Sequence, residues 1–212
     1  MSDRVRLLCL RHGESENVTA GAAGALPLAT LTARGRLQAA EAARLMSGEG
    51  ATRIYASTAV RARQTADIMA RALGVEVVPL EDLAEVHVGR AEGAVDPATR
   101  ARAAAVLRSW IVDGDLGEAV ADGEDGHAVT ARIVGALTSI AAGHAGGTVA
   151  VVGHVASLTT GLSALCGPGL KAWGAPLPHA VPFPVEYDGR SWRCPSWPSP
   201  TAAHEVTGAA GS

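Results

Sequence analysis

Short, almost uniformly apolar segments alternate with helical segments along this chain. They lie at 4–10, 52–57, 75–80 and 147–154, and they lack the alternation of apolar and polar residues that a half-exposed strand shows. Continuous apolar strands of this kind are typical of a sheet buried on both faces. The pattern predicts an α/β fold, a three-layer α/β/α domain with a mainly parallel central sheet.

The segments between these strands have helical periodicity and helix-ending residues. Thr32 is a plausible N-cap for an Ala/Leu-rich helix that runs to Met46. A second helix lies at 58–74 and has Gly74 at the C-cap position. A third is predicted at 97–110. One apolar face of a fourth is marked by Val129, Ile133, Leu137 and Ile140.

The last part of the chain is less regular. Asp188-Gly189 separates two runs that could pair as a hairpin, and the neighbouring prolines favour edge positions. We find no convincing domain boundary in the 212 residues, so we expect one domain at 1–200 and a flexible tail at 201–212.

Composition excludes several classes of protein. The formal net charge is -3 and lysine occurs once, so no basic cluster marks a nucleic-acid partner. No segment approaches the roughly 18 apolar residues of a membrane span. Three scattered cysteines, Cys9, Cys166 and Cys194, indicate neither a disulfide framework nor a zinc site. We expect a soluble cytoplasmic protein without a bound metal or cofactor.

Two of the predicted strands deliver a histidine at or just beyond their carboxyl ends. Arg11 and His12 follow the first strand, and His154 ends the strand at 147–154. Ligands of open α/β sheets bind outside this edge, so the two histidines could meet across one crevice. A neutral imidazole is a good nucleophile toward phosphorus, and arginine is suited to hold phosphoryl oxygens. The pair is therefore a candidate phosphoryl-transfer site.

The residues around these histidines resemble the histidine phosphatase superfamily, also called the phosphoglycerate mutase-like family. The resembling segments occur in the family's order and cover about residues 5–165: "LRHGESEN" at 10–17, "TLTARGRLQA" at 30–39, "YASTAVRARQTA" at 55–66, "LAEVHVGRAEG" at 83–93, "GEDGHAVTAR" at 123–132 and "VVGHVASL" at 151–158. The tripeptide RHG alone is a weak signal, but the ordered set is highly specific. The resemblance implies a phosphoglycerate mutase-like α/β fold.

The resemblance also implies a role for each matching residue. His12 is the nucleophile that becomes phosphorylated, Arg11 and Arg61 bind the phosphoryl oxygens, and His154 stabilises charge on the transferring group. Glu85 protonates the leaving oxygen and then activates water. Independent chemistry supports an acid in this position, because an alkyl phosphate releases a poor alkoxide leaving group. His87, two positions from Glu85, could contact the substrate, but a structural or solvent-facing role is favoured.

Two positions depart from the family pattern. The family usually has asparagine six positions after the nucleophilic histidine, where this chain has Val18 and carries Asn17 one position earlier. A phosphate contact from Asn17 therefore stays open. The second histidine is usually followed by glycine, whereas His154 precedes Val155, and a β-branched residue resists positive φ.

Three functions fit this reading. The first is a metal-independent phosphomonoesterase acting on a small phosphate ester, with no other partner expected beyond the homodimer that family analogy suggests. The second is a cofactor-dependent phosphoglycerate mutase, although the segment from Glu85 to His154 is short for one. The third is a catalytically inactive protein that binds phosphorylated ligands, which the changes at Val18 and Val155 alone support.

Substrate specificity is expected from the loop at 19–30, the segment at 86–126 and the C-terminal hairpin. The charged residues considered there are Arg90, Arg100, Arg102 and Arg108, and the aromatic candidates for an apolar pocket are Trp110, Trp173, Phe183 and Trp192. Each aromatic residue fits the core or an interface equally well. Sugar phosphates, phosphoglycerate derivatives, nucleotides and biosynthetic intermediates all remain open at this stage.

Overall fold

The computed structural model describes residues 4–167 and 169–198. The predicted tail at 201–212 lies outside the described residues. The strands are β1 Val5–Arg11, β2 Ala51–Ser57, β3 Glu76–Leu80, β4 Thr148–Gly153, β5 Phe183–Tyr187 and β6 Trp192–Arg193. The helices are α1 Glu16–Thr19, α2 Ala33–Met46, α3 Val60–Leu73, α4 Pro97–Arg108, α5 Gly126–Ala142, α6 Val155–Cys166 and α7 Gly169–Ala172. Within these ranges, no helix is long and apolar enough to cross a membrane.

The strands form one six-stranded sheet in the order β3-β2-β4-β1-β5-β6. The four strands β1 to β4 pair in parallel, whereas β5 and β6 are antiparallel to their neighbours. The prediction of a mainly parallel sheet is confirmed. The predicted hairpin is also present, because β5 and β6 pair across the turn that contains Asp188-Gly189.

Side chains of β1 alternate between two apolar layers. Val5, Leu7 and Cys9 pack into a cluster with α5 and α6. Leu8 and Leu10 pack into a second cluster with α2 and α3 on the opposite face. Both faces of the central strand are thus buried, as a run of consecutive apolar residues requires. Two helical layers enclose the sheet and leave its edge at the carboxyl ends of β1 and β4 to form a site.

Local signals in the sequence account for several element ends. Thr32 caps α2, since its hydroxyl accepts a hydrogen bond from the backbone N–H of Gly35 at 3.0 Å. Gly74 ends α3 in the left-handed conformation with φ of 69°. The helix predicted to reach residue 110 instead ends at Arg108 and continues as a π-helical turn, Ser109–Asp113. That wider turn carries the buried Trp110.

Candidate active site

The sheet brings the two predicted histidines together. β1 and β4 are parallel neighbours, and Arg11 pairs with Gly153 at their carboxyl ends. The backbone N–H of His12 donates to the carbonyl of Gly153 at 3.0 Å, which extends the pairing by one residue. The ring centroids of His12 and His154 lie 5.0 Å apart. The geometric prediction that these residues share one crevice edge is confirmed.

His12 is buried and held in one tautomer. Its Nδ1 lies 2.6 Å from the carbonyl oxygen of Gly13, which can only accept, so Nδ1 carries the hydrogen. Its Nε2 then carries the ring's lone pair, which accepts from Nε of Arg61 at 3.1 Å. Burial, reinforced by the charges of Arg61 and Arg11, lowers the pKa of His12 well below its ordinary value. The ring is neutral at physiological pH and presents a nucleophilic nitrogen.

Arg61 connects the two histidines to a loop. It lies in the first turn of α3 and is only 1% exposed. Its Nη1 and Nη2 donate to the carbonyls of Leu26 and Ala25 at 2.8 and 2.7 Å. The same Nη2 lies 3.2 Å from Nδ1 of His154. Burial lowers the pKa of Arg61, but an arginine remains charged at neutral pH. Arg61 is therefore part of the interior and not a solvated residue on the surface of α3.

His154 is fully buried at the N-cap position of α6. Its Nδ1 accepts from Arg61, so its Nε2 carries the hydrogen and donates to Oγ of Ser57 at 2.8 Å. Burial and then the neighbouring His12 lower the pKa of His154. The residues that border the adjacent cavity include His12 and Arg61 but not His154. A direct phosphate contact from His154 therefore stays a prediction.

Arg11 has a buried donor without a partner. Its Nη1 donates to the carbonyl of Leu177 at 3.3 Å. Its Nε is buried and has no hydrogen-bond partner among the described residues. Burial lowers the pKa of Arg11 to about 10, an effect that the charge of Glu85 opposes. An unpaired buried N–H is costly, so a bound anion at this point would satisfy it.

Glu85 is fixed at the amino end of α6. Its Oε1 accepts from the backbone N–H groups of Ser157 and Val86 at 2.9 and 3.0 Å, and its Oε2 accepts from Ala156 at 3.2 Å. A helix N-terminus attracts a carboxylate, because its first N–H groups lack partners within the helix. The side chain borders the same cavity as Arg11 and His12. Glu85 is therefore not a freely solvated surface acid.

Arg132 of α5 supports the segment that carries Glu85. Its guanidinium donates to the carbonyls of Asp82 and Ala84 at 2.9 and 2.7 Å, and to that of Glu85 at 3.3 Å. It also pairs with Glu124 at 2.7 Å.

His87, by contrast, is exposed, and its Nδ1 accepts from the backbone N–H of Gly89 at 3.2 Å, which fits a structural role.

Close backbone packing holds the loop after β1. A Cβ on Gly13 would lie 2.4 Å from the carbonyl oxygen of Gly35, and a Cβ on Gly35 would lie 1.9 Å from that of Glu14, so neither position has room for a side chain. Oγ1 of Thr65 accepts from the N–H of Gly13 at 3.1 Å and donates to the carbonyl of Arg61 at 2.8 Å. The loop is thereby tied to α2 and α3. No motif in the sequence predicted this role for Thr65.

A third histidine, His179, also lies beside His12 and was missed. Its Nδ1 donates to the carbonyl of His12 at 3.0 Å, and the two ring centroids are 5.8 Å apart. Burial lowers the pKa of His179 to about 4. The only sequence signal was a lone histidine in a proline-rich segment, and its bridge to Arg11 is a tertiary contact that the sequence does not reveal.

These residues form one end of a cavity of about 280 Å³. Its polar end is lined by Arg11, His12, Asn17, Arg61 and Glu85. We call this the phosphoryl end, and Val86, Val155 and Ala156 adjoin Glu85 and His154 there. The remaining lining residues, which we call the apolar end, are Val18, Ala22, Ala23, Gly24, Val88, Ala103, Ala104, Val106, Leu107, Trp110 and Val120. Of the four aromatic candidates, Trp110 borders the cavity. The described lining residues include none from the C-terminal hairpin.

The two departures from the family pattern are accommodated locally. Asn17 borders the cavity, and its Oδ1 accepts from Oγ of Ser15 at 2.7 Å. Val18 borders it as well. Val155 is the first residue of α6 and does not have a positive φ, so its β-branched side chain is not strained there.

Among residues 4–167 and 169–198, no group of three His, Cys, Asp or Glu side chains is arranged to hold a metal ion.

Comparisons with known proteins bear on the family and the fold of the chain. The model of the histidine phosphatase superfamily (branch 1) matches residues 7–199. The probable phosphoglycerate mutase GpmB of Serratia proteamaculans is 28% identical over 200 residues, covering 93% of this chain and 92% of that protein. Phosphoserine phosphatase 1 of Hydrogenobacter thermophilus is 30% identical over 170 residues, which cover 80% of each chain. A solved mycobacterial glucosyl-3-phosphoglycerate phosphatase has a TM-score of 0.78 at 25% identity, covering 92% of this chain and 99% of that one.

Proposed function

We propose that this chain, which belongs to the histidine phosphatase superfamily, is a metal-independent phosphomonoesterase acting on a small-molecule phosphate ester. One observation carries the proposal: a buried, neutral His12 presents a lone pair on Nε2 in a cavity that Glu85 and two arginines also line. Three free cysteines support a reducing compartment, the cytoplasm, as the place of the reaction.

The first step transfers the phosphoryl group to the protein. Nε2 of His12 attacks phosphorus, and the bond from phosphorus to the ester oxygen breaks. In this step Glu85 starts protonated and gives its proton to that oxygen, so the alcohol leaves neutral. Arg11 and Arg61 balance the charge on the non-bridging oxygens, and the unpaired Nε of Arg11 is one donor for this purpose. His154 contributes through Arg61, which it contacts.

The second step returns the protein to its starting state. The Glu85 carboxylate accepts a proton from water, whose oxygen attacks phosphorus as the bond to Nε2 of His12 breaks. Inorganic phosphate leaves, and the imidazole is again neutral. The hydrogen bond from Nδ1 of His12 to the Gly13 carbonyl keeps the ring in the reactive tautomer through both steps.

The mutase alternative needs a site for the carboxylate of phosphoglycerate. Of the described residues that border the cavity, Arg11 and Arg61 are the cationic ones, and both lie at the phosphoryl end. The lining opposite them is apolar, which favours release of the phosphoryl group to water over binding of a second acidic hydroxy acid. The Serratia relative carries a mutase name, so the test includes both reactions.

The test is a phosphate-release screen of the purified protein against small phosphate esters, with His12→Ala and His127→Ala as a matched pair. We expect His12→Ala to lose at least about a thousandfold in kcat/KM, because the nucleophile is removed. His127 is exposed on α5, so His127→Ala should keep full activity. Isomerisation of phosphoglycerate only with 2,3-bisphosphoglycerate would establish the mutase, and tight phosphate binding without any turnover the inactive binder.

A further inference from the structure

The cavity changes character sharply away from its phosphoryl end. One wall is formed by α4, by the turn that follows it and by Val86 and Val88. The other wall is formed by the loop at 22–24. The side chains on these walls are Ala, Val, Leu and Trp. The loop is tied to the connection that precedes α4, since Ala23 and the segment at 93–94 exchange two backbone hydrogen bonds of 2.9 Å. The apolar walls are therefore fixed parts of the fold.

Trp110 and three arginines near this end have partners outside the cavity. Nε1 of Trp110 donates to the carbonyl of Glu118 at 2.9 Å, so the indole presents only its apolar surface. Arg102 and Arg108 pair with Glu118 and Asp113 at 2.5 and 2.6 Å. Arg90 lies 4.0 Å from Asp122. None of these arginines, nor Arg100, is among the described residues that line the cavity.

We infer that the substrate is a phosphate monoester of an uncharged, largely apolar alcohol, aryl or short alkyl in size, with Ala, Val, Leu and Trp side chains enclosing its organic part. This inference rests on the proposed function of the same site. Hydroxyl or carboxylate groups at this end would lose water without gaining a partner, whereas methylene groups gain from burial. Sugar phosphates, phosphoserine and phosphoglycerates are thus disfavoured, although relatives carry such names.

Matched esters test the inference on the wild-type protein. Propyl phosphate and glycerol 1-phosphate share a three-carbon chain and differ in two hydroxyl groups. We expect kcat/KM to be at least about tenfold higher for propyl phosphate, because each unpaired hydroxyl is costly. From ethyl to butyl phosphate, each methylene should raise kcat/KM by about fourfold. Equal or higher values for glycerol 1-phosphate or 3-phosphoglycerate would overturn the inference.

A variant pair places a charge at the apolar end. Ala104 is exposed and borders the cavity, whereas Ala105 is exposed on the same helix and does not border it. Both sites accept arginine, a good helix former. Ala104→Arg should lower kcat/KM for butyl phosphate by about tenfold and raise it for 3-phosphoglycerate. Ala105→Arg should leave both unchanged, and equal effects of the two variants would contradict an apolar subsite at this place.

Failure of the proposed function can be separated from failure of this inference. Absence of phosphate release from every ester would overturn the phosphatase, and binding then decides the subsite. Calorimetry with phenylphosphonate and phosphonoacetate needs no turnover. Tighter binding of phenylphosphonate would support the apolar subsite on its own, and equal or tighter binding of phosphonoacetate would overturn it.

Discussion

The two ends of the cavity are built by different parts of the chain. The phosphoryl end lies at the carboxyl ends of β1 and β4, where strand pairing fixes Arg11 opposite Gly153. The apolar end comes from the connection between β3 and α5 and from the loop after α1. The sheet thus places Arg11, His12 and His154, whereas the apolar end belongs to connections that can change without disturbing the sheet.

Glu92 joins these two regions. Its carboxylate accepts from the backbone N–H of Val88 at 2.9 Å, and from those of Ala25 and Leu26 at 3.1 and 3.3 Å. The carbonyls of Ala25 and Leu26 in turn hold the guanidinium of Arg61. A structural change at the apolar end can therefore alter the position of Arg61 at the phosphoryl end through the side chain of Glu92.

Glu85→Gln, at the boundary between the two ends, is expected to cause the largest loss in kcat/KM among these predictions. Gln keeps an acceptor for the amino end of α6 but cannot donate an acidic proton to the leaving oxygen. We expect kcat/KM for butyl phosphate to fall by about 10² to 10⁴-fold. The loss for p-nitrophenyl phosphate should be much smaller, because p-nitrophenolate leaves with little help from a proton. Steady-state kinetics on both esters measure the difference.

Glu81→Gln is the matched control, because Glu81 is exposed on the same loop and its carboxylate accepts from Oγ1 of Thr58 at 2.5 Å. It should leave both rates unchanged. Equal losses on the two esters in Glu85→Gln would count against a general acid and favour a purely structural role at the start of α6.

The phosphoryl end could be anticipated in part from the sequence because three of its residues follow strand ends. Arg11, His12 and His154 are placed by parallel pairing. Arg61 and Glu85 do not follow from strand ends, and the resemblance to the family alone implied their roles. His179 and Glu92 could not be found in this way. Their roles depend on hydrogen bonds to backbone groups far away in the chain, which leave no periodic or motif signal.

The apolar end was anticipated only as a region. The segment at 86–126 was expected to set specificity, but its arginines were the only charged candidates considered there. The structure turns Arg102 and Arg108 to ion pairs with Glu118 and Asp113, which the one-dimensional pattern does not specify. Trp110 borders the cavity because the helix continues after Arg108 as a wider, π-helical turn. This local change of the helix has no clear signature in the sequence.

Glu92→Gln tests the link between the ends and should have an intermediate effect. A neutral amide accepts fewer and weaker hydrogen bonds from Val88, Ala25 and Leu26, so Arg61 is held less firmly. We expect about a tenfold loss in kcat/KM, carried mainly by kcat if Arg61 binds the transition state more strongly than the substrate. Glu118→Gln removes a surface ion pair of the same connection and should have no such effect. A loss in thermal stability with unchanged kcat would contradict the positioning role.

Stability should fall as the pH is lowered, because the phosphoryl end buries neutral histidines. The pKa of His179 is about 4 in the folded chain against 6.5 ordinarily, so the unfolded chain binds more protons between these values. Stability from His179 is complete above pH 6.5 and declines toward pH 4, by up to about 1.4 kcal/mol per pH unit. The lowered pKa values of His12 and His154 act in the same direction.

Thermal melts at pH 7.5, 6.5 and 5.5 measure this dependence. A loss of 1 kcal/mol corresponds to roughly 2–4 °C in Tm for a chain of this size. His179→Asn keeps a donor for the His12 carbonyl but cannot titrate, so its Tm should depend less steeply on pH. His127→Asn, at an exposed position, should follow the wild type. An unchanged slope in His179→Asn would show that the buried imidazole does not contribute.

Chelation of metal ions is expected to leave phosphate release unchanged, which is the smallest of the expected effects. The experiment tests whether the phosphoryl end carries enough positive charge without a metal ion. Arg11 and Arg61 bring two positive charges to the phosphoryl oxygens, the task that a divalent ion performs in metal-dependent phosphatases. Phosphate release should therefore be the same with and without EDTA, while a zinc-dependent phosphatase in the same buffer loses its activity. Loss of activity that a divalent ion restores would show that the arginines are insufficient. The charge at this end would then depend on a metal, and the sheet edge would no longer account for the chemistry by itself.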